Sequence, residues 1–353
     1  MYLKTLYLRH FRNYDEAEVS FGPRLNAICG DNAQGKTNLL EAIALVSTGR
    51  SFRTQHLSEL IQEGHPFFYL EAEIVRDGVA QTAKLSFDGQ NRRLQLNANT
   101  FATFNPLLGT LPSILSAPDD VDLIAGSPTL RRRFLNLHLA QSDPLYVHHL
   151  ARFWRAMKQR NCLLRSKSGE AIECWEVEMA QSAAYLSQVR QELIEDLKEP
   201  LSAQSRRLSR ETETVELRFH PTHSLQPETY LQQLQKMRAR EKELGLTLHG
   251  PHRDDLSFWI GAKPAKIFAS VGQRKTAVTS LRLAEWERLS KRIGAPPLMA
   301  IDDFGWPLDA IRQELLRTFL QSMGQVFLTT PSPAGAFENG HSLQIKQGQI
   351  QQK

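Results

Sequence analysis

Eight residues, Gly30-Asp31-Asn32-Ala33-Gln34-Gly35-Lys36-Thr37, constrain this chain more than any others. Before them, Leu25-Asn26-Ala27-Ile28-Cys29 reads as a short buried strand. After them, Asn38 to Leu45 reads as a helix with apolar residues on one face. The bare pattern arises by chance in about one chain in a hundred of this length, so the flanks decide its meaning. Strand, glycine loop with Lys-Thr, helix is the context of a phosphate-binding loop. Gly30 and Gly35 let the backbone wrap close to phosphate oxygens with N–H groups pointing inward. The positive end of the new helix lies beneath the same phosphates. Lys36 then reaches the β and γ phosphates of a nucleoside triphosphate, and the Thr37 hydroxyl ligates magnesium.

The totals agree with a globular protein around such a site. A length of 353 residues suggests two or three units. With 41% hydrophobic and 23% charged residues, the chain can bury a sizeable core. Its net charge of +5 is compatible with a polyanionic partner and identifies none. Cys29, Cys162 and Cys174 are widely spaced, which predicts neither a disulfide framework nor a cysteine-based zinc site. The opening lacks the apolar core of a signal peptide, and no apolar run approaches bilayer length. A cytoplasmic protein with no membrane association is expected.

Taken in order, the chain opens with strand-like Leu3, Leu6 and Leu8, then Glu18 to Phe21. Beyond the loop helix, Arg50 and Arg53 in a polar turn either face phosphate or form a solvated face. From Phe67 the pattern is a small antiparallel meander, Phe67 to Val75, Val79 to Phe87 and Arg92 to Leu96, punctuated by Asp77-Gly78 and Asp88-Gly89. Helical periodicity follows in Arg131 to Leu139, Tyr146 to Leu164 and Ala171 to Leu197. The basic clusters Arg131-Arg132-Arg133 and Arg206-Arg207 inside that block either grip a phosphate backbone or are solvated helix faces. Val215 to Phe219 reads as a strand, Tyr230 to Leu244 as a helix, and Leu256 to Ile260 with Lys266 to Phe268 as the arms of a hairpin. The predicted division is a nucleotide lobe of residues 1–115 and 296–353, with a mainly helical second lobe of residues 116–295.

Two later stretches turn a binding loop into half of a larger site. Ser270-Val271-Gly272-Gln273 opens a helix and offers free N–H groups, a second anion-binding terminus. Leu298-Met299-Ala300-Ile301 reads as a buried strand that delivers Asp302 and Asp303 to its carboxyl end. Asp302 fits a magnesium-associated role. Asp303, one residue on, is placed to orient or deprotonate an attacking water.

This order of motifs resembles the ABC-type ATPase heads of chromosome-maintenance and repair proteins, and among them the bacterial recombination mediators. The resemblance runs nearly end to end. It includes Phe11-Arg12-Asn13-Tyr14, Asn38 to Ala42, Gly49 to Arg53, Arg131 to Leu135, Gln159-Arg160-Asn161, Gly250 to Leu256 and Thr329-Thr330. It implies an α/β P-loop fold of the ABC type with a helical second lobe. Its implied cofactors are ATP and Mg2+, held by Gly30 to Asn38 of one copy while Ser270, Gly272 and Gln273 of another close over the γ-phosphate. It further implies an ATP-dependent homodimer, binding to double-stranded DNA and gap junctions, and action with RecR and RecO in loading RecA. The implied catalysis is slow, DNA-dependent ATP hydrolysis through Lys36 and Asp303. The chain departs from the family's pattern at Trp306-Pro307, while Asp309 keeps the usual residue. Asn136 stands where an acidic residue is usual. The bulky pair motivates an alternative, a DNA-binding scaffold with little or no hydrolysis.

Overall fold

Alternation shapes the first strand, β1 (Tyr2–Phe11), in which Leu6, Leu8 and Phe11 are buried and Lys4 and Arg9 face solvent. It pairs antiparallel with β2 (Tyr14–Ser20) on one side. A short apolar strand, β3 (Leu25–Cys29), leads through the glycine loop into α1 (Lys36–Thr48). The predicted meander follows as β4 (Phe68–Arg76), β5 (Val79–Phe87) and β6 (Arg92–Leu96), with a short β7 (Asn99–Phe101). Asp77 and Gly78 both take positive φ, 51° and 80°, the backbone of a primed hairpin turn. The first strands and the meander are one sheet, of order β2-β1-β4-β5-β6-β7. Period-two patterning marks each strand but not its partner, so this union was invisible in the sequence. β8 (Ser113–Ser116) then enters a second sheet.

The structure, a computed structural model, describes residues 1–166, 171–304, 310–331 and 340–352. The chain folds as two units, Met1–Asp120 with Val278–Lys353, and Val121–Ala277. The second unit begins with α2 (Asp122–Ala125), α3 (Pro128–Ala140), α4 (Pro144–Ser166) and α5 (Ile172–Ser209). α5 continues past the expected end at Leu197, with Pro200 inside it. β9 (Val215–His220) and α6 (Pro227–Leu244) come next, then β10 (Asp255–Ile260) and the two-residue β11 (Lys263–Pro264). Here one expectation is corrected. Lys266 to Phe268 lie not in a hairpin arm but in the helical turn α7 (Ala265–Phe268). Pro264 has no N–H to extend a ladder and ends the strand; the long partner of β10 is β9.

The motifs Gln159-Arg160-Asn161 and Gly250 to Leu256 hold this unit together from inside. Arg160, fully buried, pairs with Glu176 at 3.0 Å and Glu241 at 2.6 Å. Asn161 Oδ1 accepts from both the backbone N–H and the hydroxyl of Thr247. Arg190 pairs with the buried Asp254 at 2.9 Å and also donates to Asn136. Asparagine at 136 thus accepts from a guanidinium whose charge Asp254 already balances.

The chain returns to the first unit at Val278, within α8 (Val271–Ile293), whereas the sequence put that return at residue 296. It ends in β12 (Leu298–Ile301), α9 (Ala310–Gln321), β13 (Val326–Thr330), β14 (His341–Lys346) and β15 (Gln349–Gln352). The second sheet has order β15-β14-β3-β13-β12-β8, with every pair parallel except β14 with β15. Its central strands are largely buried and mostly apolar, β12 throughout and β3 and β13 apart from Asn26, Thr329 and Thr330, as a sheet covered on both faces requires. α1 is buried almost all round, its polar Lys36, Glu41, Ser47 and Thr48 included, and each of these finds a hydrogen-bond partner inside. Its Leu39, Leu40 and Ile43 share one core with Leu6 and Leu70 of the antiparallel sheet and Ile28, Leu298 and Phe327 of the parallel one. Gln325 ties the sheets: its amide donates to the carbonyls of Leu3 and Gly22, and its oxygen accepts from Leu3 N–H.

Candidate nucleotide site

The loop after β3 carries three residues with positive φ: Gly30 at 147°, Ala33 at 63° and Gly35 at 117°. The glycines are required by space as well as by dihedral. A Cβ on Gly30 would stand 2.4 Å from Ile345 O, and one on Gly35 would stand 2.7 Å from Asn13 Nδ2. Those neighbours are braces. Asn13 Nδ2 donates to Gln34 O, Tyr14 Oη donates to Gly35 O, and Gly348 N–H donates to Gln34 O. The Gln34 side-chain oxygen accepts from Gln347 N–H, while Asp31 and Asn32 are exposed.

Lys36 is buried, and its Nζ donates to Gly30 O at 2.6 Å and Asp31 O at 2.8 Å. The ammonium therefore lies over the loop's own backbone. Asn38 joins Asn13 to Arg53: it donates to Asn13 Oδ1 and accepts from Arg53 Nη1. Arg53 also lies 3.5 Å from the buried Glu41, which is held by Arg12 and Ser51. Arg50 is exposed.

The carboxylate pair arrives from β12, which is separated from β3 by β13. Thr37 Oγ1 donates to Asp302 Oδ1 at 3.0 Å, and Thr329 Oγ1, from the intervening strand, donates to the same oxygen at 2.8 Å. Thr329 Oγ1 in turn accepts from Asp303 N–H at 2.7 Å. Burial raises the Asp302 pKa and the Asp303 charge adds to this, while the two threonine hydroxyls oppose it. A carboxylate and hydroxyl that meet this way form a hard oxygen donor set, which suits Mg2+; a bound cation restores the ionised form. Asp303 itself is exposed and takes φ 52°. Thr329 is marked in the sequence only through the family resemblance, and Tyr14, Gln347 and Gly348 give no sequence signal of contact with the loop.

In the second unit, Ser270 and Gln273 form a reciprocal capping box at the start of α8. Ser270 N–H donates to Gln273 Oε1 at 2.8 Å, and Gln273 N–H to Ser270 Oγ at 3.2 Å. Two of the N–H groups expected to be free are thus occupied. A Cβ on Gly272 would meet only Ser270 Oγ, at 3.9 Å, so nothing described within the chain demands glycine there. Ile267, Phe268 and Val271 beside it are 71%, 61% and 66% exposed.

The basic clusters separate. Arg131 is neither solvated nor offered to a phosphate: it is buried, pairs with Asp255 at 2.6 Å, and donates to the carbonyls of Leu123 and Gly126. Arg132 donates to Asp254 O. Arg206 and Arg207 are exposed. Trp306, Pro307, Asp309 and Phe337 lie outside the described residues. Among those described, no helix is long and apolar enough to cross a membrane.

A parallel sheet with a glycine loop on β3 and an Asp-Asp strand two places away defines a P-loop ATPase head of the ABC type, with a mainly helical second unit. The model of the RecF/RecN/SMC N-terminal domain matches residues 2–346, and the chain belongs to that family, on its RecF side. It is 47% identical over 340 residues to the DNA replication and repair protein RecF of Protochlamydia amoebophila, across 94% of this chain and 95% of that one. RecF of Symbiobacterium thermophilum is 38% identical over 341 residues, across 93% and 91%. The solved structure of the recombination mediator protein RecF with ATP, in the RecFOR pathway, superposes with a TM-score of 0.93 at 28% identity, covering 100% of this chain and 97% of that one. The Smc head domain of Pyrococcus furiosus shares the fold, with a TM-score of 0.57 at 17% identity over 100% and 96% of the chains.

Proposed function

We propose that this chain is an ATP-dependent, double-stranded-DNA-binding protein of recombinational repair whose dimerisation is set by its nucleotide. The observation that carries the reading is the junction of Thr37 with Asp302, which joins the phosphate loop to the carboxylate strand through Thr329. ATP lies on Gly30 to Asn38, with Lys36 turning from the loop carbonyls to the β and γ phosphates. Thr37 and Asp302 hold Mg2+, which supplies neutralising charge to the phosphates. Asp303 orients or deprotonates the attacking water, and turnover is slow.

The second half of the site is Ser270, Gly272 and Gln273 of another copy. The unneeded glycine supports this, because a position with space on its own chain and no side chain suits close approach by a second molecule. The exposed Ile267, Phe268 and Val271 supply an apolar border for that approach. Partnership with RecR and RecO, and the loading of RecA at gap junctions, rest on the relatedness to RecF.

Light scattering with ATP, with ADP and without nucleotide, in the presence of duplex DNA, tests the reading. Wild type doubles in mass only with ATP, and Lys36→Arg stays monomeric. A wild type that remains monomeric with ATP and DNA refutes it. Asp303→Asn should keep ATP-dependent DNA binding and lose turnover; binding and turnover both unchanged would remove Asp303 from catalysis.

A further inference from the structure

We propose that His10, Asp15 and His65 form a binding site for a divalent transition-metal cation of the zinc class, on the hairpin that braces the nucleotide loop. Three short segments bring them together. His10 stands near the end of β1 with φ 51°, Asp15 lies at the start of β2, and His65 follows Gly64, whose φ is 83°. Backbone bonds fix the third segment against the first: Gln62 N–H donates to His10 O at 2.9 Å, and His65 N–H to Gln62 O at 3.1 Å.

The imidazoles stack with centroids 3.8 Å apart and planes 27° from parallel. Their Nε2 atoms lie 3.8 and 3.9 Å from the same oxygen, Asp15 Oδ1. The three ligand atoms all fall within 4.8 Å of one another. Those separations are too long for hydrogen bonds, so the three groups stand together without bonding each other, and a turn of the exposed His65 ring out of the stack would aim both nitrogens at one ion. A tetrahedral cation with bonds of about 2.0–2.2 Å sets its ligand atoms roughly 3.3 Å apart. Closing the gaps to Asp15 takes about half an ångström per pair.

The surroundings permit that adjustment. The Asp15 side chain is 77% exposed and that of His65 34%, which leaves a path for the ion and room for water as a fourth ligand. The His10 ring is 13% exposed, so the ion would sit between one sheltered imidazole and two more open ligands. Two imidazole nitrogens with one carboxylate suit zinc and its neighbours rather than magnesium or calcium, which take oxygen ligands. Between His10 and Asp15 lie Arg12, Asn13 and Tyr14, which hold Glu41, Gln34 and Gly35. A bound ion would pin residues 60–65 to the turn that supports the phosphate loop.

The test uses the full chain with Cys162→Ser and Cys174→Ser, since both thiols are exposed and compete for metal. After stripping with a chelator, ZnCl2 is titrated against a chromogenic zinc indicator, with and without excess MgCl2. The expected result is one equivalent of zinc per chain that magnesium does not displace. Affinity should fall more than about tenfold in Asp15→Asn and about a hundredfold in His65→Ala. The thermal midpoint should rise with zinc and stop rising in both variants. Circular dichroism checks that the variants fold, and the exposed Asp15 is the variant least able to disturb packing. No stoichiometric zinc in the stripped protein, displacement by magnesium, or an affinity unchanged from the parent in both variants overturns the proposal.

Discussion

Thr329 shows how much one hydroxyl holds. It donates to Asp302 and accepts from Asp303 N–H, so it positions the one carboxylate expected to hold magnesium and the backbone of the other. Thr329→Val removes both bonds at a buried point, and should cost about 1–3 kcal/mol of stability by chemical denaturation. Its hydrogen bond also opposes the upward shift of the Asp302 pKa. In the variant that pKa rises further, so Mg2+-dependent ATP binding should weaken more as pH falls, read from titrations across the acid range. Gly35→Ala should lower ATP affinity by at least about tenfold, because its φ of 117° is strained for alanine and the new Cβ meets Asn13. The glycines, Lys36, Thr37 and the two aspartates could be singled out in the sequence because each proposed role calls for a residue type and spacing, and the fold brings Thr37 against Asp302. Thr329 and Tyr14 stood inside family motifs without a role attached, since a hydroxyl at a strand end or in a hairpin has many ordinary uses.

At the scale of elements, the sequence marked helices and strands well where one period ran long. It failed where a single residue ended the pattern, as Pro264 does before α7. It also missed the purpose of charged motifs in the helical unit. Arg131, Arg160 and Arg190 carry no sequence sign of burial, yet each is buried against a carboxylate. Replacing Arg131 should therefore leave the salt dependence of DNA binding unchanged while lowering stability by about 1–3 kcal/mol, through the lost pair with Asp255 and the Leu123 and Gly126 carbonyls left without their donor. The same unit carries a pH dependence. Burial is the largest cause lowering His252 to about 4 from its usual value of 6.5, so the folded form binds a proton less readily than the unfolded chain. Stability is then full above pH 6.5, falls as pH drops from there toward 4, and changes no further on this account below it. The expected loss is about 3–4 kcal/mol, measured as a thermal midpoint against pH, and should shrink in His252→Gln.

For the whole molecule, Gly272 gives a clean separation of folding from assembly. Gly272→Ala meets open space within its own chain, and alanine favours helix by up to about 1 kcal/mol. The variant should melt at the wild-type temperature or slightly above and bind ATP as a monomer, yet fail to double its mass in light scattering. A variant that still dimerises with ATP would move the contact away from the serine–glycine cap. The order of strands has one more consequence. β3 stands in the middle of its sheet, between β13 and β14, which lie some three hundred residues later. A ribosome adding about 5–20 residues per second leaves β3 without either neighbour for roughly 15–60 s. During that interval the newborn chain has its nucleotide-gripping sequence but no platform on which to hold it. Firm ligand capture is thus expected only late in translation, and a chain that ends before β13 should bind ATP more weakly than the whole protein.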